Sequence, residues 1–112
     1  MPPRDWQTRI QDILDSIRAI EAYVRGTDFE AFEQDAKTLD AVVYRFAVIG
    51  EAARDVPEEV VAAHPEIPWR EMRTMRNVMV HAYFGLKPEI IWSTIRKDLP
   101  GVAELLQKLL RQ

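Results

Sequence analysis

An all-α bundle is the fold class this chain predicts, on three observations. Two long stretches keep the three-and-four apolar spacing of amphipathic helices, several shorter segments are each introduced by a proline, and no stretch reads as a sheet. In the first long stretch Trp6, Ile10, Ile13, Leu14, Ile17, Ile20 and Val24 fall on one stripe, and Gly26 stands where a helix commonly stops. A short segment around Phe29 and Phe32 follows. The second stripe runs through Leu39, Val42, Val43, Phe46, Ile49 and Ala53. Its β-branched pair would suit a strand, but the pattern lasts too long for one. P-E-E-V-V-A-A-H-P places Pro57 at a first helical position, two acids in the first turn and a stop before Pro65, which predicts a short helix. Another helical segment starts after Pro68. Two more short helices are expected from K-P-E-I-I-W-S-T-I-R-K-D-L and P-G-V-A-E-L-L-Q-K-L-L-R-Q, each opened by its proline.

The 112 residues suit one domain, 1–112, with no linker or internal repeat. With 47% hydrophobic and 29% charged residues the composition is that of a globular chain. Cysteine is absent, which removes disulfides, thiolate nucleophiles and cysteine-bound metals. The start, M-P-P-R-D-W-Q-T-R, has no apolar signal core, and the longest apolar run, A-V-V-Y-R-F-A-V-I-G, is cut by Arg45 and is too short to span a bilayer. A soluble cytoplasmic protein without membrane contact is the expectation. A net charge of −3 argues against a general nucleic-acid coat, which needs a surplus of Lys and Arg. Any nucleic-acid contact must therefore be local, and helical spacing would stack Arg70, Arg73 and Arg76 along one side of a single segment.

Residues 76–84 read R-N-V-M-V-H-A-Y-F, a run that sets four polar groups in an otherwise apolar segment. On a regular helix Asn77 and His81 lie nearly one above the other, Arg76 and His81 are separated by roughly 140°, and Arg76 and Tyr83 align to within about 20°. One site from one helix would need Arg76 to reach around, the helix to loosen near Gly85, or a second chain. Taken alone, the run also fits a solvated arginine, a half-buried histidine and a tyrosine closing the core. A zinc site is not supported, because His64 and His81 lack ligand spacing and no cysteine is present. Neither a metal nor a cofactor is expected.

The wider text holds several motifs in order: I-G-E-A at 49–52, H-P-E-I-P-W at 64–69, R-N-x-x-x-H-x-Y-F from Arg76, then I-I-W-x-x-I and D-L-P within 90–100. Over about residues 5–108 the chain resembles the HepT-type HEPN toxins of bacteria and archaea. That resemblance implies a HEPN-type up-and-down helical bundle with short additional helices. It implies a homodimeric, metal-independent ribonuclease of a HEPN/minimal-nucleotidyltransferase toxin–antitoxin pair of type VII kind, with Arg76 and His81 as catalytic residues. It further implies that an ATP-using antitoxin silences the toxin by placing AMP on Tyr83. Ala82 stands where many relatives have Gly, which stiffens the backbone and leaves the chemistry intact.

These residue types fit RNA cleavage without a metal. The 2′-OH of RNA is a built-in nucleophile, so the protein must supply proton transfer and charge stabilisation. An unperturbed imidazole changes charge near neutral pH, so His81 can act as base or acid, and Arg76 can fork two donors onto a phosphate. Asn77 is a candidate to orient the ring or hold a phosphate oxygen, with a plain solvated asparagine as the equal alternative. Arg70 and Arg73 could line the approach of the backbone or simply be solvated. Glu51 is a candidate partner for one of the arginines, and Gly50 for close helix packing. A two-fold dimer would bring two His81 and two Arg76 into one cleft. The competing readings are a catalytically silent helical adaptor for the nucleotidyltransferase and a nucleotide-binding regulator; they separate at His81, which only the ribonuclease requires.

Overall fold

The computed structural model describes residues 5–77 and 87–112, and every secondary-structure element among them is helical. Two 19-residue helices form the frame: α1 (Trp6–Val24) and α3 (Ala36–Arg54). They run antiparallel, since Arg9 near the start of α1 pairs with Asp55 just past the end of α3, while Tyr23 near the end of α1 meets Arg45 midway along α3. Their apolar stripes interlock. Ile10, Ile13, Leu14, Ile17 and Ile20 of α1 and Val42, Phe46, Ile49 and Ala53 of α3 are all buried. Gly26 sits just beyond α1 with φ +74°, a left-handed turn that glycine enters without strain.

The segment around Phe29 and Phe32 is itself a helix, α2 (Phe29–Gln34). Its start is marked by Asp28, whose carboxylate accepts the Ala31 N–H at 2.9 Å. Asp35 repeats the device one helix later. Its carboxylate accepts the Thr38 hydroxyl and the Thr38 backbone N–H, and these bonds hold its pKa below the ordinary carboxylate value. Phe32 points inward, and its ring lies 5.0 Å from that of Trp92, which fastens α2 to the later half of the chain.

Beyond α3 the chain forms two short helices, α4 (Glu58–Ala63) and α5 (Trp69–Arg73), followed by a 3₁₀ turn at Thr74–Arg76. Pro57 caps α4 and does not occupy its first turn. The loop between the two helices is pinned by Trp69, which is buried and donates its indole N–H to the His64 carbonyl at 2.9 Å. The expected single helix after Pro68 thus tightens into 3₁₀ geometry before it reaches Asn77, so 100° steps do not hold through Arg76.

The last part departs most from the expectation of two separate proline-led helices. Helix α6 (Pro88–Ser93) passes through a π turn at Thr94–Asp98 directly into α7 (Leu99–Leu110). Pro100 causes this. It has no N–H for the carbonyl one turn back and its ring crowds that carbonyl, so the turn widens and the Leu99 N–H bonds to the Thr94 carbonyl five residues earlier. Helix α7 then lays Leu99, Val102, Leu106 and Leu109 into the core and packs on α1. None of the described helices is long and apolar enough to cross a membrane.

Candidate active site

The site-bearing turn rests on the C-terminal half of α3, and Gly50 sets how closely. A Cβ at Gly50 would lie 2.7 Å from the backbone N of Arg76, 3.1 Å from its Cβ and 3.3 Å from the Arg73 carbonyl oxygen. Only a residue without a side chain permits that approach. The next residue, Glu51, faces the same turn and pairs with Arg76, Nη1 to Oε1, at 2.9 Å. Both partners remain largely exposed, so the pair adds little to stability; its consequence is orientation, because it holds a planar donor group in one place at the surface.

Arg73 is used differently. Its Nε donates to the Ala53 carbonyl at 3.2 Å, its Nη2 to the Val56 carbonyl at 3.4 Å, and its Nη1 lies 3.0 Å from Glu58. Ala53 lies in the last turn of α3, where intrahelical partners run out and a cation is favoured, and Val56 follows just beyond the helix. With only 26% of its side chain exposed, Arg73 ties α3, α4 and α5 into one corner. The open row of three arginines expected from spacing is therefore interrupted: Arg70 is exposed, Arg73 is spent on the fold, and Arg76 is held by Glu51. Arg73→Ala should lower stability by about 1–3 kcal/mol, because the Val56 carbonyl loses its side-chain donor and the Ala53 carbonyl is left with the 3.4 Å bond from the Val56 N–H. Chemical denaturation would check this, and an unchanged midpoint would show that the carbonyls find other partners.

Asn77 follows as an exposed residue closing the 3₁₀ turn. His81 and Tyr83, the other two members of the motif, lie outside the described residues. Among the described residues no group of three His, Cys, Asp or Glu side chains is placed to hold a metal ion. His64, the second histidine, sits in the loop before α5 with its Nδ1 3.4 Å from Glu66. One surface cluster went unremarked in the sequence: Tyr44 is an exposed aromatic on α3, and its neighbour Arg45 reaches Tyr23 on α1. Its signal was Tyr44 itself, a bulky phenol seven residues before Glu51 in a run read only as core.

The Ribonuclease HepT-like family profile matches residues 13–109. A Thermococcus cleftensis protein whose name gives it as a probable ribonuclease HepT is 40% identical over 95% of this chain and 96% of its own length. A Methanocaldococcus jannaschii protein whose name proposes an RNase is 32% identical over 99% of this chain and 92% of its own. One from Caldanaerobacter subterraneus, also given an RNase name, is 33% identical over 92% of each chain. No solved structure matches the chain. With a profile that spans most of its length and relatives aligned nearly end to end, the chain belongs to the HepT-like ribonuclease family.

Proposed function

We infer that this protein is the toxin of a HEPN/minimal-nucleotidyltransferase pair, a metal-independent endoribonuclease that cuts RNA by internal transesterification. The observation that carries this reading is the Arg76 turn. A guanidinium is held at the surface by Glu51 over Gly50, at the first position of the R-N-x-x-x-H-x-Y-F motif. Fixing a planar cation beforehand is what stabilising phosphorane charge requires. In the reaction His81 takes the proton of the 2′-OH, the 2′-oxygen bonds to phosphorus, and the bond from phosphorus to the 5′-oxygen breaks. A second acid protonates that leaving oxygen. The chain has one motif histidine, so a homodimer with two His81 in one cleft supplies both roles. The products are a 2′,3′-cyclic phosphate and a 5′-hydroxyl.

Silencing follows from the same cleft. The nucleotidyltransferase antitoxin moves AMP from ATP to the phenol oxygen of Tyr83 and releases pyrophosphate. Each added AMP brings roughly one negative charge and a bulky base to the motif, which opposes entry of an RNA backbone. The test is cleavage of single-stranded RNA by purified protein in EDTA, with end-group analysis for the cyclic phosphate. Cleavage that needs an added divalent ion, or 3′-hydroxyl products, would overturn the mechanism. After co-expression with the antitoxin, mass spectrometry should find AMP on Tyr83, and Tyr83→Phe should escape silencing; silenced protein with a bare Tyr83 would point to inhibition by complex formation.

A further inference from the structure

The exposed cluster on the α1/α3 face has the composition of a strand-binding platform. Tyr44 is 61% exposed, although it stands within the most apolar stretch of the chain. The Cζ of Arg45 lies 5.7 Å from the centre of the Tyr44 ring, and its Nε donates to the Tyr23 hydroxyl at 3.2 Å. Those two phenols are its side-chain partners among the described residues, none of whose carboxylates pairs with it. A cation steadied by neutral rings keeps its charge for an anion, and the largely exposed Tyr44 ring offers surface to a flat partner.

The cluster is aligned with the candidate active site. Tyr44 and Glu51 are seven residues apart on α3, which puts them on one face to within about 20° and about 10 Å apart along the axis. Glu51 in turn holds Arg76. A strand whose scissile phosphate lies at Arg76 can run back along this face and bring a neighbouring base over Tyr44.

We propose that Tyr44 and Arg45 form a binding subsite for single-stranded RNA, with Tyr44 stacking on a base and Arg45 pairing with the adjoining phosphate. The subsite rests on the ribonuclease reading but is tested by binding, apart from cleavage. Stacking on an aromatic side chain tolerates every base, so it adds affinity without selecting sequence.

The experiment is fluorescence anisotropy with a labelled oligoadenylate, in a His81→Ala background that prevents turnover. Tyr44→Ala should weaken binding about ten-fold and Tyr44→Trp should restore it, as base stacking predicts. An otherwise identical abasic strand should bind wild type and Tyr44→Ala alike. Equal affinity of wild type and Tyr44→Ala for oligoadenylate would overturn the subsite, while cleavage lost in Arg76→Ala would leave the ribonuclease reading standing. A wild-type protein that neither binds nor cuts RNA would overturn both. If Tyr44→Ala instead changes the oligomeric state in light scattering, the face joins two copies of the chain and the proposal fails.

Discussion

Alanine at His81 should cut RNA cleavage by about 10²–10⁴-fold, the range expected when a positioned acid–base group is removed. Alanine at Arg76 should cost about 10²–10³-fold, as for a donor aimed at developing charge. The two losses have different pH signatures. With His81 in place, log rate against pH should show the ionisation of an imidazole; in His81→Ala that inflection should vanish, whereas in Arg76→Ala it should persist at lower rate. Initial-rate measurements on folded, dimeric variants check this. If His81→Ala cleaves at the wild-type rate, His81 is not the proton shuttle and that role lies elsewhere.

Gly50→Ala is expected to be nearly as damaging, although the residue touches no substrate. Its new methyl would stand 2.7 Å from the backbone N of Arg76, and backbone cannot swing aside as the tip of a side chain can. The turn must move off α3. Overpacking of this kind costs about 1–3 kcal/mol, and displacing the Arg76 group by about an ångström can cost on the order of 10²-fold in rate. Gly101→Ala provides the contrast. Nothing lies within 4 Å of a Cβ there, and the residue is inside α7, so the methyl should raise stability by up to about 1 kcal/mol through helix propensity alone. Thermal melts of the two variants should shift in opposite directions. A Gly50→Ala protein with normal melting temperature and activity would mean that the turn is not seated by contact with α3.

Legibility followed the length of the pattern. Helices α1 and α3 carry stripes long enough that Ile10 to Val24 and Val42 to Ala53 announce their buried face, and both are helices over those residues. Helix α2 is six residues long, and two phenylalanines do not make a period; its real marker, the Asp28 cap, was there to be read. Pro100 reads in sequence as the start of a helix, whereas in the fold it widens a helix already under way. Within the candidate site, I-G-E-A drew attention to both Gly50 and Glu51: a Cβ at Gly50 would run into the Arg76 turn, and Glu51 pairs with Arg76. The inward turn of Arg73 was not legible. It depends on two backbone carbonyls, Ala53 in the last turn of α3 and Val56 beyond it, which no side-chain pattern records. His81 and Tyr83 rest on sequence and family membership.

The π turn at Thr94–Asp98 also acts as a phase shifter. A π turn takes up one residue more than an α turn, so the extra residue is absorbed locally and Leu99, Val102, Leu106 and Leu109 stay on the buried side. Straightening the turn with every residue retained, as Pro100→Ala would permit, would rotate α7 by roughly 100° and carry Lys108 toward the place of Leu109. The register of the C-terminal helix on α1 therefore depends on Pro100 keeping that turn wide.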